Sequence, residues 1–379
     1  MKVLVAVDSF KGSLGSREAG EIIREGILDT IKDAEVTVSP IADGGEGTVE
    51  ALVDGLNGEY IDVEVKGPLN DKVIARYGVI KDVVVMEMAS SSGLTLVPEE
   101  KRNPLNTTTY GLGDMIKDAL DRGYNNFIIG LGGSSTSDIG LGMLSSLGFK
   151  FLDENKKEVG IFGRDLKNIK YIDDTSVDKR LFDSKFKIAC DVDNPLYGEN
   201  GAAAIYGPQK GADKETIKTL DEYAINFSKV VSKKYKTDYD NISGVGAAGG
   251  LGYAFMSFLN GELSPGIDII IDFLQLDEKM KKVDLAITGE GEINYQTMMG
   301  KAPSGVAKVA KKYAIPVIGI AGALGKDVEL INDKGIDAFF SITPKPISLE
   351  KAMDREFAKE NLKRTISQIM RVYRLNNKN

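Results

Sequence analysis

The sequence predicts an α/β protein of two domains, in which a doubly wound parallel-sheet domain formed by both chain ends carries an inserted mixed α/β domain. Three observations predict it. Both ends alternate strand-like and helix-like runs, whereas in the middle several β-rich runs follow one another with no helix between them. Gly-rich turns recur where apolar runs end. The fullest is Gly130-Leu-Gly-Gly-Ser-Ser-Thr-Ser-Asp138-Ile-Gly140, placed after Phe127-Ile128-Ile129 and before the helical run Leu141 to Leu147. Such a turn leaves N–H groups aimed outward, where they favour an anion. Its hydroxyls add donors, and Asp138 adds a carboxylate able to hold a metal. One such turn alone is more simply a tight turn with a Ser or Asp cap. Several of them, most with an acid or a lysine, point to a phosphate-handling enzyme.

Taken in order, Lys2 to Val7 is β-rich and alternates little, as in a strand buried on both faces. A turn at Asp8 to Leu14 leads into a helix from about Ser16 to Thr30. Ser16 suits its N-cap, and Ala19, Ile22, Ile23 and Ile27 suit its buried stripe. Val36 to Pro40 is a strand, followed by Ala42 to Thr48 and a helix to about Leu56. Tyr60 to Val65, Val73 to Ile80 and Val83 to Met88 then read as antiparallel strands. A helix runs from about Thr108 to Leu120. Residues 152 to 185 are charged, irregular and expected to be peripheral. Phe186 to Ala189 is a strand, Lys214 to Ser232 a polar helix, and Gly244 to Gly252 opens another. From Asp284 the βα rhythm returns. Leu285 to Thr288 is a strand, Gly289-Glu290-Gly291 its turn, and Ala302 to Tyr313 a helix with Pro303 in its first turn. Two more strands, Pro316 to Ala321 and Ala338 to Ile342, precede a long amphipathic helix. The domains are expected at 1–66 plus 270–379 and at 67–269, with a cleft between them collecting the Gly-rich turns.

Composition narrows the chemistry. The 379 residues are 42% hydrophobic and 27% charged, ordinary for a globular chain of two domains. A net charge of −8 and a pI near 5.0 argue against nucleic acid. No apolar run approaches the roughly 20 residues of a membrane helix, and the N-terminal run is too short for a signal peptide, so a cytoplasmic protein is expected. Cys190 is the one cysteine, which excludes disulfides and thiolate zinc sites within the chain. There is no histidine. Ser-His-Asp and Cys-His hydrolysis and His-ligated zinc are thereby excluded, and any metal must be a hard, oxygen-bound one such as Mg²⁺.

The motifs admit two readings each. Gly-x₄-Gly-Lys-Ser/Thr is absent, and Gly244-Val-Gly246-Ala-Ala-Gly249 matches G-x-G-x-x-G by spelling without a strand before it, so close helix packing explains it better. Lys11, between Asp8 and Gly12, neutralises phosphoryl oxygens or is an exposed turn lysine. Asp43 and Glu46 flank a glycine pair. They bind Mg²⁺ or substrate hydroxyls, or Asp43 caps the next helix. Asp191, Asp193 and Asn194 follow a strand, where open sheets hold ligands; function is favoured for Asp191 and a turn for Asn194. Glu290 serves Mg²⁺ or a ribose, or lies in a simple βα turn. Arg102 and Thr107 to Thr109 grip a small carboxylate, or form a cap and a surface arginine.

Together these blocks carry a resemblance. Asp8-Ser-Phe-Lys-Gly-Ser-Leu14, Ala42-Asp-Gly-Gly-Glu-Gly-Thr48, Arg102-Asn-Pro-Leu105 with Thr107-Thr-Thr-Tyr-Gly111, Gly130-Leu-Gly-Gly-Ser134, Ala189-Cys-Asp-Val-Asp-Asn-Pro-Leu196, Gly207-Pro-Gln-Lys-Gly-Ala212, Gly246-Ala-Ala-Gly-Gly-Leu-Gly252 and Ile287-Thr-Gly-Glu-Gly291 stand in the order of the bacterial glycerate kinase type 1 family. The resemblance covers essentially the whole chain. It implies ATP-dependent phosphorylation of D-glycerate with Mg²⁺, 2-phosphoglycerate being favoured over 3-phosphoglycerate. It also implies a flavodoxin-like domain from both chain ends and an inserted restriction-enzyme-like domain. Two stretches depart from the family: Ser134-Ser-Thr-Ser-Asp-Ile-Gly140 stands for Ser-Ala-Thr-Asn-Asp-Gly-Gly, and Gly289-Glu-Gly-Glu292-Ile-Asn294 for Gly-Glu-Gly-Arg-Ile-Asp. They bear on substrate identity, affinity or activity more than on fold.

The resulting expectation assigns catalysis to Asp191, as general base, and Lys11. Substrate contacts fall to Asp43, Glu46, Arg102, Thr107, Ser134 and Ser135. Nucleotide phosphates fall to Ser9, Gly12, Gly132, Gly133, Gly289, Glu290 and Gly291, and the metal to Asp138 and Glu290. ATP and Mg²⁺ are the expected cofactors and glycerate the partner, with no nucleic acid and no membrane; a homodimer is left open. A kinase of a related hydroxy acid and a non-catalytic ligand-binding module are the competing readings.

Overall fold

A computed structural model describes residues 1–10, 12–45, 47–298 and 300–376. Among these the strands are β1 (Lys2–Val7), β2 (Glu35–Val38), β3 (Glu59–Lys66), β4 (Lys72–Ile80), β5 (Val83–Glu87), β6 (Asn126–Gly130), β7 (Lys150–Leu152), β8 (Tyr171–Asp173), β9 (Lys185–Ala189), β10 (Glu262–Ser264), β11 (Leu285–Ile293), β12 (Val317–Leu324) and β13 (Ala338–Ser341). The chain divides into two compact units. The first is Met1–Asp43, Glu50–Asn57 and Ile267–Asn379; the second is Gly44–Val49 and Gly58–Gly266. No helix among the described residues is long and apolar enough to cross a membrane.

The first unit is built on a parallel sheet in the order β13-β12-β11-β1-β2. Counted within the unit from β2, the strands run 2-1-3-4-5, an order in which ligands gather beyond the C-terminal strand ends, at the point where the order reverses. That point lies between β1 and β11. Val3 to Val7 are all buried, as the lack of alternation required. Ile22, Ile23 and Ile27 of helix Ser16–Leu28 share a core with Leu362, Ile366 and Met370 of helix Arg355–Asn376. Two local expectations change. Gly15, in extended backbone, precedes the first helix, so Ser16 is a helical residue and its buried hydroxyl finds no partner among the described residues. β11 does not end at Thr288. Pairing continues through Glu290↔Ala321 and Glu292↔Ala323, so Gly289-Glu290-Gly291 is strand rather than turn. Gly289 permits this, because a side chain there would meet the Ile320 carbonyl.

The second unit holds a mixed sheet in the order β10-β9-β6-β5-β4-β3. Pairing is antiparallel across β3, β4 and β5 and parallel from β5 through β6 and β9 to β10. β3 pairs with β4 along its whole length, from Glu59↔Val79 to Lys66↔Lys72, and so belongs to this unit. Apart from the short Gly44–Val49 segment, the chain therefore enters the second unit at 57/58, not 66/67, and leaves it at 266/267. The stretch expected to be peripheral, 152–185, supplies β8 and buries Leu166, Ile169, Ile172, Val177 and Leu181 in the core. Single apolar residues spaced among charges hid that role. Helix Ala247–Leu259 is kinked by left-handed backbone at Ala248, Gly249 and Gly250. A Cβ on Gly246 or Gly249 would strike the carbonyl of Pro195 or Thr136, so this glycine run does serve close packing.

Candidate active site

Two adjacent parallel strands of the second unit, β6 and β9, end on the same edge, with Gly130 opposite Ala189. Each hands over to a loop, Leu131–Ser134 and Cys190–Val192, and the two loops line a pocket of about 180 Å³. Gly44 and Gly45 close one part of it, Tyr206 and Gln209 another, and Ala247 and Ala248 at the kinked helix a third. Gly130 lets Gly44 come close, since a Cβ there would lie 2.8 Å from the Gly44 carbonyl. Asp191 is exposed, and its Oδ1 accepts from the Gly266 amide at 2.9 Å. The pocket thus presents a glycine turn, a serine, a carboxylate, a carboxamide and a phenol on a small hollow. Gly132, Gly133, Ser134 and Asp191, four of the residues singled out in the sequence, line it together.

Other expected contacts lie elsewhere. Thr107 and Ser135 are buried; the Thr107 hydroxyl donates to the Ser135 carbonyl at 3.0 Å, and the Ser135 hydroxyl to the Ser92 carbonyl at 2.9 Å. Both are engaged inside the unit rather than facing a ligand. Arg102 does not line the pocket, and its buried Nε has no partner among the described residues. Asn194 holds its turn, donating to Asn200 O at 2.8 Å and accepting from the Tyr206 hydroxyl at 2.5 Å. Lys11 and Glu46 lie outside the described residues. Tyr206 and Gln209 were missed, although Gln209 sits in the Gly207-Pro-Gln-Lys-Gly-Ala212 block quoted for the resemblance.

Beneath the glycine turn lies Asp138, fully buried. Its Oδ2 accepts from the Thr109 amide and hydroxyl at 2.8 Å each and from the Gly142 amide at 3.1 Å. One carboxylate therefore ties the starts of helices Tyr110–Asp121 and Leu141–Ser146 together, which reassigns Asp138 from metal ligand to brace. Burial pushes its carboxyl up, against those hydrogen bonds. Lys210, 1% exposed, donates from Nζ to the Thr136 carbonyl at 2.6 Å. Burial lowers its ammonium to about 7, and the charge of Asp138 works the other way.

The first unit carries acids at its switch point. Asp8 follows β1, its amide donating to the Gly289 carbonyl at 2.8 Å, and its Oδ1 accepts from the Ser9 amide at 2.6 Å. Withdrawal from water, then Asp43 and more weakly Glu290, push the Asp8 carboxyl up to about 7. Glu290 is raised by burial, against a hydroxyl hydrogen bond from Thr297 at 2.6 Å and an ion pair with Lys301 at 3.5 Å. Gly12, three residues after Ser9, adopts φ +78°. Ser9, Gly12, Asp43, Gly289, Glu290 and Gly291 are thus all in one unit, whereas Ser134 and Asp191 are in the other. Among the described residues no three acidic side chains stand close enough to hold a metal by themselves.

Comparison with known proteins places these features in a family. Residues 3–374 match the Glycerate kinase family. The chain is 47% identical over 355 residues to a protein of Halalkalibacterium halodurans named glycerate kinase, covering 93% of each. It is 46% identical over 354 residues to a protein of Escherichia coli K12 named glycerate 2-kinase, again covering 93% of each. A crystal structure from Salmonella typhimurium LT2, provisionally named glycerate kinase 2, superposes with a TM-score of 0.91 at 40% identity, covering 100% of this chain and 99% of that one. With its match running nearly end to end, the chain belongs to the glycerate kinase family.

Proposed function

We propose that this chain transfers the γ-phosphoryl group of ATP to a hydroxyl of D-glycerate, 2-phosphoglycerate being favoured over 3-phosphoglycerate. The observation that carries this reading is the second-unit pocket, where Gly132-Gly133-Ser134 and the Asp191 carboxylate share a hollow of about 180 Å³, suited to a three-carbon acid. The names of the relatives support glycerate as substrate, and that of the E. coli relative favours the 2-phosphate. Such a transfer asks a protein for placement and charge neutralisation more than covalent work. Asp191 orients the attacking hydroxyl and takes its proton as the O–P bond forms and the bridge to the β-phosphate breaks, releasing ADP. The amides of Gly132 and Gly133 face the developing negative charge. Ser134 and Asp191 contact the glycerate; Asp43 and Glu46 are assigned to it or to the metal. Lys11, Ser9, Gly12, Gly289 and Gly291 are assigned to the nucleotide phosphates.

Mg²⁺ fits the donors of the first unit. Asp8, Asp43 and Glu290 are hard oxygen ligands, and burial, followed by repulsion from Asp43 and Glu290, raises Asp8, as expected where a cation is wanted. With no set of three acids among the described residues to cage it, the ion would rest on one or two of their carboxylates plus phosphate and water. When bound it supplies charge neutralisation on the phosphates. On strand order we also read the first unit as flavodoxin-like, and the second, with its antiparallel edge on a parallel sheet, as restriction-enzyme-like.

The test is ADP release with D-glycerate, L-glycerate, glycolate and tartronate. D-glycerate is expected to give the highest kcat/KM. A higher value with another acid would move the assignment to a related hydroxy-acid kinase, and a thermal shift with no ADP from any of them would make the chain a binding module.

A further inference from the structure

Resting on that reading of the second-unit pocket, we propose that Lys210 is a positioning residue, which clamps the Thr136 carbonyl and so fixes the glycine turn Gly132–Ser134 against the wall that carries Gln209. Lys210 is among the largest fully buried side chains of the molecule. A buried ammonium opposes folding, and an apolar chain of equal length would fill the slot without that penalty. What the lysine adds is a 2.6 Å hydrogen bond to a carbonyl two residues beyond Ser134. Its own backbone is held. The Lys210 amide donates to the Gly207 carbonyl at 3.0 Å, and Gly211, at φ +90°, presses on the Arg102 backbone, where a Cβ would clash. The neighbouring Gln209 lines the pocket.

The loop end of the clamp needs the tie. Ser135 is pinned by its amide and hydroxyl to the Ser92 carbonyl, and the Ile139 amide donates to Gly249 O at 3.2 Å. Between those pins, Thr136 Oγ1, Ser137 Oγ and Asp138 Oδ1 are buried with no hydrogen-bond partner among the described residues. Asp138 is held through Oδ2 alone, and the Thr136 and Ser137 side chains do not stitch their stretch to its surroundings, while Lys210 reaches its main chain. Burial disfavours the Lys210 ammonium, and the charge of Asp138 favours it.

The experiment compares wild type, Lys210→Met and Lys210→Met/Asp138→Asn. The single variant leaves Asp138 buried beside no cation and is expected to melt lower. The double variant removes both charges and is expected to recover most of that loss. Its fold intact, it should show faster amide exchange across residues 131–138. Its kcat/KM for D-glycerate should fall by about 10–100-fold, the cost of misplacing reacting groups slightly, while KM for ATP stays near wild type. A folded double variant with wild-type exchange and wild-type kcat/KM overturns the clamp. So does failure of both it and Lys210→Gln/Asp138→Asn to fold, which would make Lys210 purely structural. If wild-type protein makes no ADP from D-glycerate, the reaction assignment fails, and the exchange data alone decide the clamp.

Discussion

Asp191 is exposed at the end of β9, and its carboxylate accepts the amide of Gly266. Asn in its place keeps an acceptor for that amide and loses the proton-accepting charge. Asp191→Asn is therefore expected to lower kcat by about 10²–10⁴-fold with little change in melting temperature; steady-state kinetics alongside a thermal melt checks both. Asp8 makes the opposite kind of prediction. Its carboxyl ionises near 3.8 in the unfolded chain and near 7 in the fold, so the fold prefers it protonated. Its stabilising contribution is full below about 4 and is lost as pH rises to about 7. In the absence of divalent cation, Asp8→Asn should therefore be more stable than wild type at pH 8, by up to about 4 kcal/mol, and the gap should shrink as pH falls toward 4. Denaturant melts at pH 5 and pH 8 measure it; equal gaps at both would contradict a raised Asp8 carboxyl at the switch point.

At the scale of elements, periodicity made most of the fold legible. β1, β4, β5, β6 and β9 lie where apolar runs put them, and helix Ala302–Lys312 carries Pro303 in its first turn. The misses have physical causes. β3 alternates polar and apolar residues, which shows a strand but not which sheet takes it. Gly289-Glu290-Gly291 reads as a turn because glycine weakens a strand locally, yet pairing with β12 carries β11 through it, beyond the last pair with β1 at Gly289. Pocket-lining residues were legible just past strand ends, as at Gly132 after β6 and Asp191 after β9. They were not where hydroxyls look identical in sequence whether they face a ligand or a carbonyl, as with Thr107 and Ser135. Helix packing supplies a further test. At Gly26 the helices Ser16–Leu28 and Arg355–Asn376 come so close that a Cβ would lie 2.9 Å from the Lys363 carbonyl and 3.0 Å from Ile366. Gly26→Ala is expected to destabilise by about 1–3 kcal/mol through overpacking, read as a lower denaturation midpoint; an unchanged or higher midpoint would show that the contact relaxes freely.

At the scale of the molecule, both units are α/β, each with its own core, and each offers a different chemistry at strand ends. The first gathers oxygen acids at a topological switch point; the second offers a glycine turn with Asp191. Without histidine, and with one buried cysteine, the chain has acids, lysines and backbone amides for its chemistry. Chelation of divalent cations with EDTA is accordingly expected to abolish turnover, with recovery on adding Mg²⁺; full activity in EDTA would remove the metal from the account. Phosphoryl transfer to glycerate can be followed by ³¹P NMR of the protein with ATP, Mg²⁺ and D-glycerate. The expected spectrum shows loss of the γ-phosphate signal, appearance of ADP, and one new phosphomonoester resonance split by a single C2 proton. Unchanged ATP, or release of inorganic phosphate with no phosphomonoester, would contradict that transfer.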